Sequence, residues 1–212
     1  MKNETFSFIS NIFHYRIMTW KLLNQVFKSR INPRLIQTSA TKLISAPPEK
    51  IDFFHLLDQP KQFEVNSKKM SQKFRQLQSE FHPDRYSQKS PEELEHAENW
   101  SALVNQAYST LLNPMDRALY LLECFNDPLL EGEQPKLDTE FLSEIMELNE
   151  DLDEISSDKD IEEFSAKIKE NLQDLHGKLS EKFGENSVSE AKIIVCTMQY
   201  FHNLRAQLKE KS

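Results

Sequence analysis

This chain has almost no glycine. Three stand in 212 residues, isolated at Gly132, Gly177 and Gly184, where average usage would be about 7%. Rossmann and Walker A phosphate loops need clustered glycines so that backbone can approach a phosphate closely, and both are excluded. Tight hairpins lean on glycine too, which argues against a turn-rich all-β fold. A mainly helical protein without a nucleotide loop of its own remains. Cys124 and Cys196 lie 72 positions apart, so there is neither a CxxC zinc pair nor a disulfide framework. Both sit in apolar helical stretches, where buried, inert thiols are expected. No apolar run reaches about 18 residues, the length a membrane-spanning helix needs.

Charge is divided along the chain. Residues 1–46 hold seven Lys or Arg and one acid, whereas residues 47–212 hold 19 basic and 33 acidic residues. An acidic body argues against general nucleic-acid binding, which needs a basic surface to displace counterions. The basic head, dotted with Ser and Thr, has the composition of a mitochondrial or plastid transit peptide. At about 100° per residue, Trp20, Leu23, Phe27 and Ile31 share one face, and Lys21, Gln25 and Lys28 lie opposite. Met18 offers a second start. A disordered basic tail without an address is the bland alternative. Cleavage is expected between Leu35 and Pro47, with little fixed structure before Pro47-Pro48.

Behind the head, apolar spacing predicts helices throughout. Ile51–Leu57 allows two turns. From an Asn66 cap, Met70, Phe74, Leu77 and Phe81 form one stripe, and Lys68, Lys69, Lys73 and Arg75 lie on the other faces. Pro83 disfavours helix in the residue before it, so this helix ends near His82, with a loop over Asp84–Lys89. Ser90-Pro91-Glu92-Glu93 is a helix start with cap, proline and first-turn acids in place. Its stripe, Trp100, Val104, Ala107, Tyr108 and Leu111, runs to Asn113-Pro114, and a further helix spans about Met115–Phe125. Asn126–Lys136 reads as a linker. Three helices follow. Asp138 caps the first, with Phe141, Ile145, Leu148, Leu152 and Ile155 inward, and a turn at Ser156–Asp160 leads to the second, from Ile161 to Leu179. The third spans about Ser187–Lys209 with Ala191, Ile194, Met198, Phe201, Leu204 and Leu208 inward. Ile193-Ile194-Val195 alone would suit a strand, but the segment is long and has no partner strand. Three stripes with short turns predict an antiparallel bundle, and the fold class is all-α.

One constellation carries functional information. His82-Pro83-Asp84 could be an acid–base pair or an ordinary turn. Its place between two matching antiparallel helices resembles the J-domain, whose His-Pro-Asp loop stimulates ATP hydrolysis by a DnaK-class chaperone. FHLLDQPKQFEVN, LQSEFHPDRY, WSALVNQAYSTLLNPMDRALYLL and FLSEIMELNEDLDEI extend the likeness. On these segments the chain resembles the HscB family, the J-type co-chaperones of iron–sulfur cluster biogenesis (Jac in yeast mitochondria), from about Ile51 to Lys211.

That resemblance implies an L-shaped molecule: a transit peptide over 1–46, a J-domain over 47–125, a linker over 126–137 and a scaffold-binding three-helix domain over 138–212. It implies a mitochondrial matrix co-chaperone that delivers an IscU-type scaffold to a DnaK/HscA-class chaperone. The chaperone would meet His82, Pro83 and Asp84, with Lys69, Lys73, Arg75 and Arg85 steering the encounter, since residues 61–85 hold six basic and three acidic residues. Each lysine could equally be solvated helix surface. In the rear, Leu142 and Met146 lie about 100° and 140° around the helix from Phe141, off the inward stripe. Flanked by Glu147 and Glu150, they suggest an interaction patch. The family's aromatic partner on the last helix corresponds to Tyr200. Core packing is the alternative for Tyr200, and contact with the front domain is the alternative for Leu142 and Met146. Ser143 and Ile145 depart from the family pattern, where Met and a polar residue are expected. Animal members carry a four-cysteine zinc module that this sequence lacks, so no metal or other cofactor is expected. Neither membrane nor nucleic acid is an expected partner. A J-protein with another client and a His82/Asp84 hydrolase are the competing functions.

Overall fold

The computed structural model describes residues 44–130 and 137–211. The expected import signal lies outside the described residues as far as residue 43, as do positions 131–136 of the expected linker. The described residues form helices and no strand: α1 (Phe53–Leu56), α2 (Ser67–Glu80), a 3-10 turn (Pro83–Tyr86), α3 (Pro91–Leu112), α4 (Pro114–Cys124), α5 (Thr139–Glu154), α6 (Asp158–Gly184) and α7 (Val188–Lys211).

The helix starts follow from side-chain chemistry, because the first amides of a helix have no partner within it. Asn66 accepts from the Lys69 N–H at 2.9 Å. Ser90 and Glu93 form a reciprocal capping box with Pro91 in the first turn, and Ser157 and Asp160 form another. Asp138 caps α5 by accepting from the Glu140 N–H. Helix α1 is shorter than expected. Asp52 caps it, and the chain turns away through Asp58 at φ 53°. Gln59 then braces the connection, donating to the carbonyls of Leu57 and Asp58 and accepting from the Asn66 N–H.

The described residues divide into two compact units between Arg117 and Ala118, within α4. In the first, α1, α2 and the 3-10 turn all pack against α3, burying Phe54, Leu57, Met70, Val104, Ala107 and Leu111. Buried Arg117 lies over the Phe63 ring at 4.8 Å and donates to the Leu111 carbonyl. Burial lowers the pKa of this guanidinium and nearby Glu64 opposes the shift. Phe74, Phe81, Trp100 and Tyr108 are only half-buried. They stand at the edge of the interface, where flat rings can stack with one face to solvent.

In the second unit α6 packs along α7, and α5 packs on α7. Val195, not Ile194, continues the inward stripe of α7. The expected stripe fails there because α7 is covered on more than one side, so Lys192, Cys196 and Gln199 are buried as well. Cys124 is half-buried rather than buried. The start of the expected linker is anchored: just before it Phe125 stacks on Phe183, and within it Asp127 pairs with the buried Lys192 at 2.8 Å and Leu129 is buried.

The N-terminal edge also departs from expectation. Ile44 and Ser45 were expected to lie in the unstructured head. Instead the His96 ring donates from Nδ1 to the Ile44 carbonyl, Trp100 Nε1 donates to the Ser45 carbonyl, both at 2.8 Å, and Pro47 is buried. Trp100→Phe keeps a ring against Phe81 but removes the donor to Ser45. Loss of one such bond costs about 1 kcal/mol, so the melting temperature falls. A chain starting at Pro48 should melt lower again than one starting at Ile44, as scanning calorimetry would read.

Candidate functional site

The first candidate surface is the tip of the α2–α3 hairpin. Alternating contacts fix its register. The Ser71 hydroxyl bonds the Tyr108 hydroxyl at 2.9 Å, and Phe74 stacks on Tyr108 at 4.1 Å. Gln78 donates to the Ser101 carbonyl while the Ser101 hydroxyl donates back to Gln78 Oε1, both at 3.1 Å. Nearest the tip, Phe81 stacks on Trp100 with centroids 5.0 Å apart.

The hairpin then ends abruptly. Phe81 closes α2, and His82 is extended at ψ 124°, as a residue before proline prefers. The expected loop is partly ordered as the 3-10 turn, with Pro83 in its first position. Arg85 donates to the Ser79 carbonyl at 2.8 Å, and the Tyr86 hydroxyl donates to the Glu80 carbonyl at 3.3 Å. The turn thus supplies donors to the last carbonyls of α2, with a cation at the negative end of the helix dipole. His82 Nδ1 accepts from the Asp84 N–H at 3.3 Å, which leaves the ring hydrogen on Nε2. That lone pair cannot also donate to the Asp84 carboxylate 3.6 Å away. The His82 and Asp84 side chains are 54% and 90% exposed. A fixed turn therefore offers one N–H donor and one carboxylate to a partner.

The basic candidates do not form a single cluster. Lys69 pairs with Asp58 at 3.0 Å. Lys73 is half-buried on the same flank of α2, one turn on. Arg75, about 200° around the helix from Lys73, donates back to the Ser71 carbonyl. Arg85 is a cap first and a steering charge second. Tyr86 was not singled out from the sequence, and its capping role shows only once the turn is folded.

The second candidate surface lies along α5 and α7. Phe141 meets Tyr200 edge-on at 5.8 Å and tilts against Phe201 at 6.2 Å. Ile145, Leu148 and Leu152 are buried, so Ile145, one of the departures from the family pattern, is a core position. Leu142 is half-buried, and Met146 is 57% exposed. Two ion pairs orient α5: Asp151 bonds Lys167 of α6, and Asp153 pairs with Lys211 of α7. Leu142 and Met146 fall within about 20° of Asp153 around α5, which puts them on the α7 side with Tyr200. Glu150 is exposed one turn beyond Met146, and exposed Glu147 turns about 100° away from it. Burial raises the Tyr200 phenol above its ordinary pKa, and neighbouring Cys196 adds to the rise. Among the described residues no three His, Cys, Asp or Glu side chains gather as a metal site.

Known proteins resemble this chain in sequence and fold. Residues 137–209 match the family model described as the HSCB C-terminal oligomerisation domain. The chain is 36% identical over 170 residues to the human iron–sulfur cluster co-chaperone protein HscB, an alignment covering 80% of this chain and 72% of that protein. The mouse protein of the same name is 34% identical over 171 residues, covering 81% and 73%. The crystal structure of human HscB superposes with a TM-score of 0.76 at 34% identity, covering 84% of this chain and 94% of that one. The chaperone HscB from Vibrio cholerae gives 0.66 at 27% identity, covering 76% and 97%.

A raised phenol has a defined pH signature. The part of the stability that depends on neutral Tyr200 is intact below about pH 10, the ordinary tyrosine value. It is lost as pH rises through the higher folded value. Ultraviolet difference titration of the parent against Tyr200→Phe should show one phenol ionising above pH 10. Ionisation at or below the ordinary value would contradict the burial of the phenol.

Proposed function

The chain belongs to the HscB family of co-chaperones, and from that premise we propose that it binds an iron–sulfur cluster scaffold protein of the IscU type and presents it to a DnaK/HscA-class chaperone, whose ATPase it stimulates. It is a co-chaperone and not an enzyme. The observation that carries the reading is the His82-Pro83-Asp84 turn, held on the end of α2 by Arg85 and Tyr86 with both functional side chains facing outward.

In this reading residues 47–125 serve the chaperone and residues 138–212 serve the scaffold, joined through 126–137. His82 Nε2–H and the Asp84 carboxylate bind the chaperone's hydrolysis-competent state more tightly than its resting state, which shifts the population toward hydrolysis. Because Pro83 and the capped turn are already ordered, little conformational freedom is lost on binding. Lys69, Lys73, Arg75 and Arg85 give this stretch a positive field that speeds encounter with a negative partner. Leu142, Met146 and Tyr200 supply the apolar contact for the scaffold, and Glu147 and Glu150 form its acidic rim. Holding both partners on one chain raises the effective concentration of scaffold at the chaperone. The basic head over 1–46 supports import to the mitochondrial matrix.

Single-turnover ATP hydrolysis by a mitochondrial DnaK-class chaperone tests the reading. His82→Gln should abolish the stimulation, while Leu142→Ala/Met146→Ala should keep it and lose only the further increase on adding scaffold. No stimulation by the parent chain would reduce His82-Pro83-Asp84 to a turn. Salt gives a separate check: because exposed charges are screened over about 8 Å at physiological ionic strength, the association rate with the chaperone should fall as salt rises. That fall should be smaller in Lys73→Ala/Arg75→Ala.

A further inference from the structure

Trp100 makes two contacts at once. Its ring stacks on Phe81 with centroids 5.0 Å apart and planes 12° from parallel, while its Nε1–H donates to the Ser45 carbonyl at 2.8 Å. Phe81 closes α2, with its own N–H on the Leu77 carbonyl, and His82 follows directly. One turn nearer the start of α3, the His96 ring donates to the Ile44 carbonyl, also at 2.8 Å. Residues 44–47 therefore form a strap that runs along α3 in the same direction, and Pro47, further along it, is buried. An indole turns broadly about its outer torsion, so stacking alone does not choose the orientation of the ring. The Ser45 carbonyl does, because a hydrogen bond to it has distance and angle requirements.

We propose that residues 44–47 belong to the chaperone-stimulating unit: through Trp100 and Phe81 they hold the His82-Pro83-Asp84 turn in the conformation that the chaperone binds. The inference rests on the chaperone reading above and adds to it a segment outside the hairpin. Ser45, His96 and Trp100 are positioning residues in this scheme, because each acts on the turn through Phe81. A loosened Trp100 frees Phe81, so a smaller fraction of the chains presents the ordered turn. The apparent affinity for the chaperone falls by that fraction. At saturation the chaperone selects the ordered turn, and hydrolysis proceeds at the parental rate. The strap also bounds maturation. Within the window expected for removal of the basic head, Leu35 to Pro47, cleavage has to fall before Ile44 for the strap to be kept.

Titrating the full chain into single-turnover ATP hydrolysis by a mitochondrial DnaK-class chaperone tests this, at a temperature where circular dichroism shows every variant folded. Trp100→Phe keeps a ring and removes the donor. The concentration for half-maximal stimulation should rise by up to about fivefold, the equivalent of one ordinary hydrogen bond, with the maximum unchanged. His96→Ala should raise it too, and His96→Gln, which keeps an N–H for the Ile44 carbonyl, should recover most of the loss. Pro47→Asp puts a carboxylate in a buried position and releases the strap. Adding Trp100→Phe to it should change nothing further, because residues that act through one another are not additive. Melting temperatures that fall while half-maximal concentrations stay parental would make the strap a stabilising edge only and overturn the proposal. Equal effects of Trp100→Phe with and without Pro47→Asp would overturn the route through Trp100. A processed chain beginning after Ser45 would overturn it as well. Absence of stimulation by the parent chain would instead sink the chaperone reading, and this inference with it.

Discussion

Antiparallel pairing of α2 with α3 is the interaction on which the outward presentation of His82 and Asp84 depends. The hairpin has buried residues at Met70 and Leu77, but its edge is made of stacked rings and reciprocal hydrogen bonds. Apolar burial is non-directional and would allow the helices to slide. Gln78 with Ser101 and Ser71 with Tyr108 have distance and angle requirements, so they select one register. With register fixed, Phe81 and Trp100 meet at the tip. Arg85 and Tyr86 can then reach the carbonyls that α2 leaves unpaired.

The rear unit solves a different problem. Its helices carry many exposed carboxylates, and self-repulsion is offset by a few well-placed cations. Lys182 lies within reach of Glu185 and Glu190 at the turn between α6 and α7, and those carboxylates raise its pKa. Lys192 holds Asp127, and Lys211 closes the end of α5 through Asp153 and the Leu152 carbonyl. Exposed pairs contribute little individually, so their part is to set geometry rather than stability. Apolar packing of α6 on α7 supplies the stability.

Much of this was readable one residue at a time. Pro83 ends α2 through local sterics, and Asn66, Ser90 and Asp138 satisfy amides within three residues of themselves. Stripes such as Leu148–Leu152 and Ile168–Leu172–Leu175–Leu179 came through because each needs one covering neighbour. The reading failed where coverage came from several directions. Ile194 gave way to Val195 because α7 is packed on more than one side. Phe74, Phe81 and Trp100 were placed in the core from periodicity, which cannot tell a ring at an edge from one at a centre. Ile44 and Ser45 carry no local signal that His96 and Trp100, some 50 positions on, will hold their carbonyls.

The sequence alone determined the helical class, the positions of the caps, the break at Pro83 and the acidic balance of the body, because each rests on interactions within a turn or on composition. It also marked Leu142 and Met146 as out of place on their helix. Only the tertiary structure decided which apolar residues stay uncovered, since exposure depends on where a neighbouring helix begins. Ile193 and Ile194 are identical residues side by side on one helix. Which of them is exposed depends on the sides of α7 that the rest of the fold covers, which the identity of neither residue encodes.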